Sequence, residues 1–243
     1  MKLANKTALL TGGGSGIGAG CAIALAREGC QVAIAGRSAD KLAEVAKRFD
    51  GKPPIKTHPV DVADRASVAD LFRWAGRELG RIDIHVNCAG INTVKRSIHE
   101  LSPEDWDRIM AVNATGAYNC LREVLPQMKQ RRDGLIVNIN STSGVRAGVL
   151  GGVAYSASKF AMAALGITVA QEVREMGIRI TNIYPGEVET PILDHRPVPV
   201  TAEHRARILQ PEDIAAAVVM IASLPPRANV SEIVIKPTIQ AFS

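Results

Sequence analysis

The sequence predicts an α/β fold in three layers, a seven-stranded, parallel, doubly wound sheet with helices on both faces. Three observations lead there. Short apolar runs alternate with helix-length amphipathic segments along all 243 residues, the pattern of parallel strands joined by helical crossovers. A glycine-rich turn follows the first apolar run and opens a helix. No repeat or linker composition interrupts the alternation, so residues 1–243 read as one domain.

Strands are expected at 7–11, 31–35, 55–60, 82–87, 135–140, 179–184 and 232–236, and helices near 17–28, 39–49, 64–80, 103–130, 153–176 and 211–223. In the second helix, Leu42, Val45, Ala46 and Phe49 recur at helical spacing, while Asp40, Lys41, Glu44, Lys47 and Arg48 fill the other face. One long irregular stretch, 186–210, carries Pro191, Pro197 and Pro199 and is expected to lie at the mouth of a site as a lid or specificity loop.

Composition narrows the class. With 47% hydrophobic and 22% charged residues, the chain can bury a large core and is too apolar for disorder. The uncharged run 214–224 is shorter than the roughly 20 residues of a bilayer crossing. Residues 1–10 have no apolar stretch of the kind a secretory leader needs, so a cytoplasmic protein is expected. Cys21, Cys30, Cys88 and Cys120 are dispersed and read as free thiols, and the five histidines show no metal-ligand spacing. The net charge of +5 is scattered, with aromatics at only 4%, which argues against nucleic-acid binding.

Chemistry enters at the glycine turn, Gly12-Gly13-Gly14-Ser15-Gly16-Ile17-Gly18. Backbone free of Cβ atoms can approach a pyrophosphate, and the N–H groups at the helix start stabilise the anion. The position after the first strand makes this a dinucleotide site of Rossmann type. At the end of the second strand, where an acidic residue would bind the adenosine ribose, the chain reads Ala35-Gly36-Arg37-Ser38. Arg37 and Ser38 would hold a 2′-phosphate, so NADP(H) is expected over NAD(H). The alternative is that Arg37 only caps or solvates the second helix. Asp61-Val62 would sit beside the adenine, although Asp61 or Asp64 would equally serve as a helix cap.

Tyr155 and Lys159, four apart on one helix face, pair a phenol with an ammonium able to stabilise its phenolate. A phenol near its ordinary pKa of about 10 is a poor acid–base group at neutral pH. Fourteen residues before Tyr155, the apolar run 135–140 ends at Ser141, whose hydroxyl would donate to a substrate oxygen as charge develops. Ser143 is the rival for that role and Thr142 a third choice.

At these residues the chain resembles the short-chain dehydrogenase/reductase family over essentially its whole length. The matching pieces are Gly12-x-x-x-Gly16-Ile17-Gly18, Asp61-Val62, Asn87-Cys88-Ala89-Gly90, Asn113, Ser141, Tyr155-x-x-x-Lys159 and Pro185-Gly186 with Thr190. The resemblance implies that Tyr155 is the general acid or base and that Ser141 polarises the carbonyl. It further implies that Lys159 binds the nicotinamide ribose and lowers the Tyr155 pKa, and that Asn113 holds a water linking Lys159 to solvent. Val188 and Thr190 would contact the carboxamide, Asn87, Ala89 and Gly90 would lie along the cofactor, and the chain would form a homotetramer through helices 103–130 and 153–176. Small residues Ala161, Ala163, Ala164 and Gly166 would permit close helix approach there, or within one chain.

Two departures stand out. Cys88 replaces the second Asn common in the family, and the C-terminal region lacks the Asp-Gly-Gly ending of acyl-carrier-protein reductases. Together with 183–191, the latter looks like the branch of NADP-linked serine and 3-hydroxy acid dehydrogenases. The expected function is therefore hydride transfer between NADP(H) and a small carbonyl or hydroxy compound, in a pocket framed by 146–152, the loop from Glu187 and 93–97, with Arg146 or Arg196 available to pair with a substrate carboxylate or else pointing away as surface arginines. A reductase of 3-oxoacyl thioesters or bulkier cyclic ketones is the alternative if the 186–210 loop leaves a wide cleft. A non-catalytic nucleotide sensor is a third, opposed by the complete set Asn113, Ser141, Tyr155 and Lys159.

Overall fold

The structure is a computed structural model that describes residues 1–240. Strands β1 (Thr7–Thr11), β2 (Gln31–Gly36), β3 (Lys56–Pro59), β4 (Ile84–Asn87), β5 (Gly134–Ile139), β6 (Ile178–Pro185) and β7 (Glu232–Ile235) form one parallel sheet, ordered β3-β2-β1-β4-β5-β6-β7. The helices are α1 (Gly16–Arg27), α2 (Ala39–Lys47), α3 (Arg65–Leu79), α4 (Pro103–Met110), α5 (Gly116–Arg131), α6 (Val153–Val173), α7 (Ala202–Arg207) and α8 (Pro211–Ser223). Every strand expected from the sequence is present, with ends displaced by at most two residues.

Period-two alternation sorts the strand residues between two cores. Ala8 and Leu10, Val32 and Ile34, and Leu135, Val137 and Ile139 pack against α1, α2 and α8. Leu9, Ala33, Ala35 and Ile136 face α3, α5 and α6 on the other side. With both faces covered, the central strands are apolar throughout, as a parallel sheet requires.

Two segments depart from expectation. The helix expected at 103–130 is interrupted by a π-helical turn, Ala111–Thr115, which widens the helix around the buried Asn113. The stretch 186–210 is ordered into a 3₁₀ turn, Pro191–His195, and α7, which Thr201 caps by accepting from His204 N–H at 3.2 Å. Arg205 fastens it by bridging Glu189 at 2.7 Å and Asp194 at 2.6 Å. Local charge pairing thus gives this proline-rich segment structure that hydrophobic period could not reveal.

Helix Val153–Met176 is long and apolar enough to cross a membrane by length and composition. In this fold its inner face is pressed against the sheet. A Cβ on Gly166 would lie 2.3 Å from Asn182 Oδ1, and Ala163 is buried, so these two small residues serve contacts within the chain.

Beneath Gly166 an asparagine ladder crosses β4, β5 and β6. Asn87, Asn138 and Asn182 are in register. Asn87 Nδ2 donates to Asn138 Oδ1 at 2.9 Å, Asn138 Nδ2 donates to Asn182 Oδ1 at 3.0 Å, and His85 Nε2 pairs with Asn87 Oδ1 at 2.9 Å. Amides that depend on partners in the neighbouring strands lock strand register, because a slip by one residue would break the ladder. Asn138→Ala removes the central amide and leaves two buried partners unpaired. Urea unfolding should show a loss of about 2–5 kcal/mol, and a loss below 1 kcal/mol would show that the ladder does not hold the sheet.

Candidate functional site

Strand order reverses between β1 and β4, and there the loops after these two strands meet. Gly12 follows β1 with φ +68°, and a Cβ on it would lie 2.7 Å from the main chain of Cys88 and Ala89. Only glycine fits this crossing. Helix α1 then begins without a side-chain cap, since the hydroxyl of Ser15 makes no bond there, and without an acidic residue in its first turn. By contrast α2, α3 and α4 are capped by Ser38, Asp64 and Ser102. The first N–H groups of α1 are therefore left for an external anion.

A cavity of about 630 Å³ runs from Gly12, Ser15, Gly16 and Ile17 past Cys88 and Gly90 to Ser141, Tyr155 and Lys159, roofed by residues 185–196. A second, of about 210 Å³, is lined by Gly14, Ser38, Asp61, Val62 and Ala89, and joins the first at Gly12, Ser15, Arg37, Gly90 and Ile91. Arg37 is exposed where the two meet. Ser38 lines the smaller cavity while its oxygen accepts from Lys41 N–H at 3.4 Å as the α2 cap. The capping question at the third strand resolves in favour of Asp64, which accepts from Ala66 N–H at 2.8 Å. Asp61 instead holds Ala63 N–H at 3.0 Å and lies on the cavity wall.

Pro185, Gly186, Val188 and Thr190 form the far wall. Gly18 packs behind the turn against the Gly12 carbonyl, and the side chain of Asn87 points into the asparagine ladder; neither is on a cavity wall.

Ser141 lies just past β5 and caps a 3₁₀ turn, Thr142–Gly144, its oxygen accepting from Ser143 N–H at 3.1 Å. Of the two serines, Ser141 is the one that acts on the Tyr155 phenol, favouring its ionised form. Lys159 is buried on the same face of α6, its Nζ 5.7 Å from the centre of the Tyr155 ring and donating to the Ile139 carbonyl at 3.0 Å. Burial pushes the Lys159 ammonium down to about 8. Burial likewise raises the Tyr155 phenol above its ordinary value, opposed first by the Ser141 hydrogen bond and then by the charge of Arg96. Asn113 lies behind them, with Oδ1 accepting from Ile91 N–H at 2.8 Å and Nδ2 donating to the Ile91 carbonyl and to Ser158 Oγ, both at 3.0 Å. Its side chain is thus committed, so any water held by Asn113 falls to its main-chain carbonyl in the π turn.

Arg196 lies 3.3 Å from Glu187, and Arg146 lines the cavity from an exposed position. Arg96 falls in the 93–97 segment that the sequence sets around the substrate, whereas Ile91, Asn92, Arg108, Asn140 and Gln240 reach the wall with no signal of their own in the sequence. Arg96 carries no motif, and Gln240 arrives from the C-terminal region to accept from Glu187 N–H at 3.1 Å.

The chain is similar to known proteins over nearly its full length. The family model described as short chain dehydrogenase matches residues 6–198. An uncharacterised oxidoreductase of Staphylococcus saprophyticus is 36% identical, covering 98% of this chain and 99% of its own. Among solved structures, a serine dehydrogenase in complex with NADP+ superposes with a TM-score of 0.89 at 27% identity, covering 98% of this chain and 97% of its own. A 3-ketoacyl-(acyl-carrier-protein) reductase from Brucella melitensis, complexed with NADH, gives 0.88 at 28% identity, covering 97% and 98%.

The glycine turn makes a paired prediction. Gly12→Ala forces a side chain into positive φ and into the β4 loop, and should destabilise by about 2–5 kcal/mol. At Gly14 a Cβ would meet nothing nearer than 3.4 Å. Gly14→Ala should therefore unfold within about 1 kcal/mol of the parent; equal losses at the two positions in urea titrations would contradict the crossing geometry.

Proposed function

Because the chain belongs to the short-chain dehydrogenase family, we propose that it is an NADP(H)-dependent oxidoreductase of small carbonyl or hydroxy compounds, with Tyr155 as its acid–base group. The observation that carries this reading is the convergence of Ser141, Tyr155 and Lys159 at one end of a cavity whose other end is the uncapped start of α1. The nicotinamide, when bound, supplies or accepts the hydride. The residues present fit that cofactor: the Gly12 turn admits its phosphates, and Arg37, with no acidic residue from Ala35 to Ala39, offers a guanidinium for a 2′-phosphate.

In this reading Tyr155 gives its proton to the substrate oxygen during reduction and takes it back during oxidation. Ser141 donates to the same oxygen as negative charge grows on it. Lys159 holds the ribose hydroxyls and adds positive charge beside the phenol. Asn113, through its main-chain carbonyl, holds the water through which Lys159 exchanges protons with solvent. Residues 185–196 and the rest of 186–210 form the lid that excludes water. The NADP+ complex of the serine dehydrogenase supports the cofactor and the small hydroxy-acid substrate class, while the NADH complex of the 3-ketoacyl reductase makes coenzyme choice the point to test. A homotetramer belongs to the same reading, with Tyr118 on α5 and Phe160 and Ile167 on α6 partly exposed on the helices that would meet. Tyr155 and Lys159 sit on the protein side of α6, and the reading places the enzyme in the cytoplasm.

Initial rates of NADP+ and NAD+ reduction, with a panel of serine, 3-hydroxy acids, secondary alcohols and cyclic alcohols, test the function. Turnover with NADP+ and hydroxy acids is expected, and absence of turnover with any alcohol would overturn it. Arg37→Asp should lower the preference for NADP+ roughly ten- to hundredfold, as loss of one charge-assisted phosphate contact implies; an unchanged preference would leave Arg37 a surface residue. Tyr155→Phe should lower kcat by about 10²–10⁴.

The direction of the Tyr155 shift sets the pH dependence. A phenol raised above its ordinary value is protonated at neutral pH, the form that reduction uses. Oxidation needs the phenolate. Oxidative kcat/KM should therefore climb through the alkaline range while reductive kcat/KM falls across the same range, and parallel profiles would assign the proton to another group.

A further inference from the structure

Arg96 neither carries the proton nor meets the hydride in that scheme, yet it is built into the cavity wall. It is 7% exposed, and its three assigned hydrogen bonds all end on main-chain carbonyls. Nε donates to Thr93 at 3.0 Å, Nη1 donates to Leu150 at 2.7 Å, and Nη2 donates to His195. These carbonyls belong to the three segments that frame the cavity mouth. Among the described residues no carboxylate forms an ion pair with it. A guanidinium has five N–H groups, so two remain, both on the terminal nitrogens.

The surrounding charge is one-sided. Arg37, Arg96, Arg108, Arg146, Lys159 and Arg196 line the larger cavity against a single carboxylate, Glu187. Glu187 is already shared between Arg196 at 3.3 Å and His204 at 2.7 Å, and Arg108 is held by Asp105 at 3.0 Å. Arg37 stands at the far end, where the two cavities join. At the Tyr155 end a buried guanidinium thus carries a charge that carbonyl dipoles only partly compensate. A buried cation of this kind is stabilised by an anion that takes its remaining donors.

We propose that Arg96 is the specificity-determining residue that anchors a carboxylate of the substrate, selecting short hydroxy or keto acids over neutral alcohols and ketones. The planar fork of Arg96 receives the carboxylate beside Ser141 and Tyr155, and its bonds to Leu150 and His195 make the lid and the 145–152 loop part of the same anchor. What the carboxylate belongs to rests on the hydride-transfer reading; the affinity of Arg96 for it does not. The anchor also touches the chemistry. Arg96 helps to hold the Tyr155 phenol down, so neutralising its charge raises that phenol further. Acidic substrates should therefore show an oxidative kcat profile displaced to higher pH than neutral alcohols.

The test uses C3–C5 2- and 3-hydroxy carboxylates and their uncharged amides, with the parent protein, Arg96→Lys and Arg96→Met. Calorimetric binding to the NADP+-loaded protein is measured alongside steady-state rates. The parent should bind the best carboxylate at least roughly tenfold more tightly than its amide, the scale of one charge-assisted contact. Arg96→Met should erase that ratio through KM, move the oxidative pH profile of neutral alcohols to higher pH as the phenol rises, and so bring the profiles of acid and neutral substrates together. Arg96→Lys should fall between them, because an ammonium cannot reproduce the fork. If the variants do not fold, the carboxylate-to-amide ratio of the parent decides alone. Carboxylate preference without turnover would sustain the anchor while defeating the hydride-transfer reading. Equal binding of acid and amide by the parent, or an unchanged ratio in a folded Arg96→Met, overturns the proposal.

Discussion

All seven strands point the same way, and the site depends on that constraint. A parallel sheet delivers the carboxyl ends of its strands to one edge, and the reversal of order between β1 and β4 leaves a crevice there that no crossover helix fills. Gly12 and the Cys88–Ala89 main chain close the bottom of the crevice at a distance that excludes any side chain. Ser141 follows β5 at the same edge, and β6 ends at Pro185, where the roof begins. The residues of the cavity therefore come from distant parts of the chain for a single geometric reason. The asparagine ladder acts on the same strands, β4 to β6, and so fixes the relative height at which these ends emerge.

Electrostatics at the site is governed by burial as much as by partners. Lys159 has no carboxylate beside it, and its strongest contact is the Ile139 carbonyl. Burial alone moves it down to about 8, which weakens the expectation that Lys159 is the main force on the phenol. In the protein without its small-molecule partners, Ser141 and Arg96 oppose the desolvation of Tyr155. A low-dielectric pocket rich in cations is a poor environment for itself and a good one for anionic ligands, and this is the physical sense of six basic side chains facing one carboxylate.

How much of this could be read in the sequence follows the range of the interactions involved. Strands and helices were legible because periodicity is local: Ala8, Leu9 and Leu10 already declare the two faces that their neighbours fill. That the glycine turn, Arg37, Ser141, Tyr155 and Lys159 share one edge of the sheet was legible because each stands at a strand end or one helical turn from a partner. The direction of the Asn87 side chain was not legible, because it depends on Asn138 and Asn182, 51 and 44 residues along in turn. The π turn at Asn113 leaves the helical pattern intact and so hides in it. The 186–210 stretch looked irregular because ion pairs such as Glu189–Arg205 have no hydrophobic period to announce them.

The carbonyl partners of Arg96 were hidden in the same way, although the sequence sets 93–97 around the substrate, and they show why the lid and the substrate end should be treated as one unit. The donors of Arg96 join the Thr93 loop, Leu150 and His195, so the roof is held to the floor by a side chain that also faces the reacting groups. Removing the roof would expose that guanidinium to water and weaken its hold on any anion, since charge-assisted bonds lose strength in high dielectric. Conversely, an anion seated on Arg96 takes the two donors that the roof and loop carbonyls leave over. Occupancy and closure then share one guanidinium, which makes the fit of the ligand's charge, and not only its size, a condition for sealing the cavity.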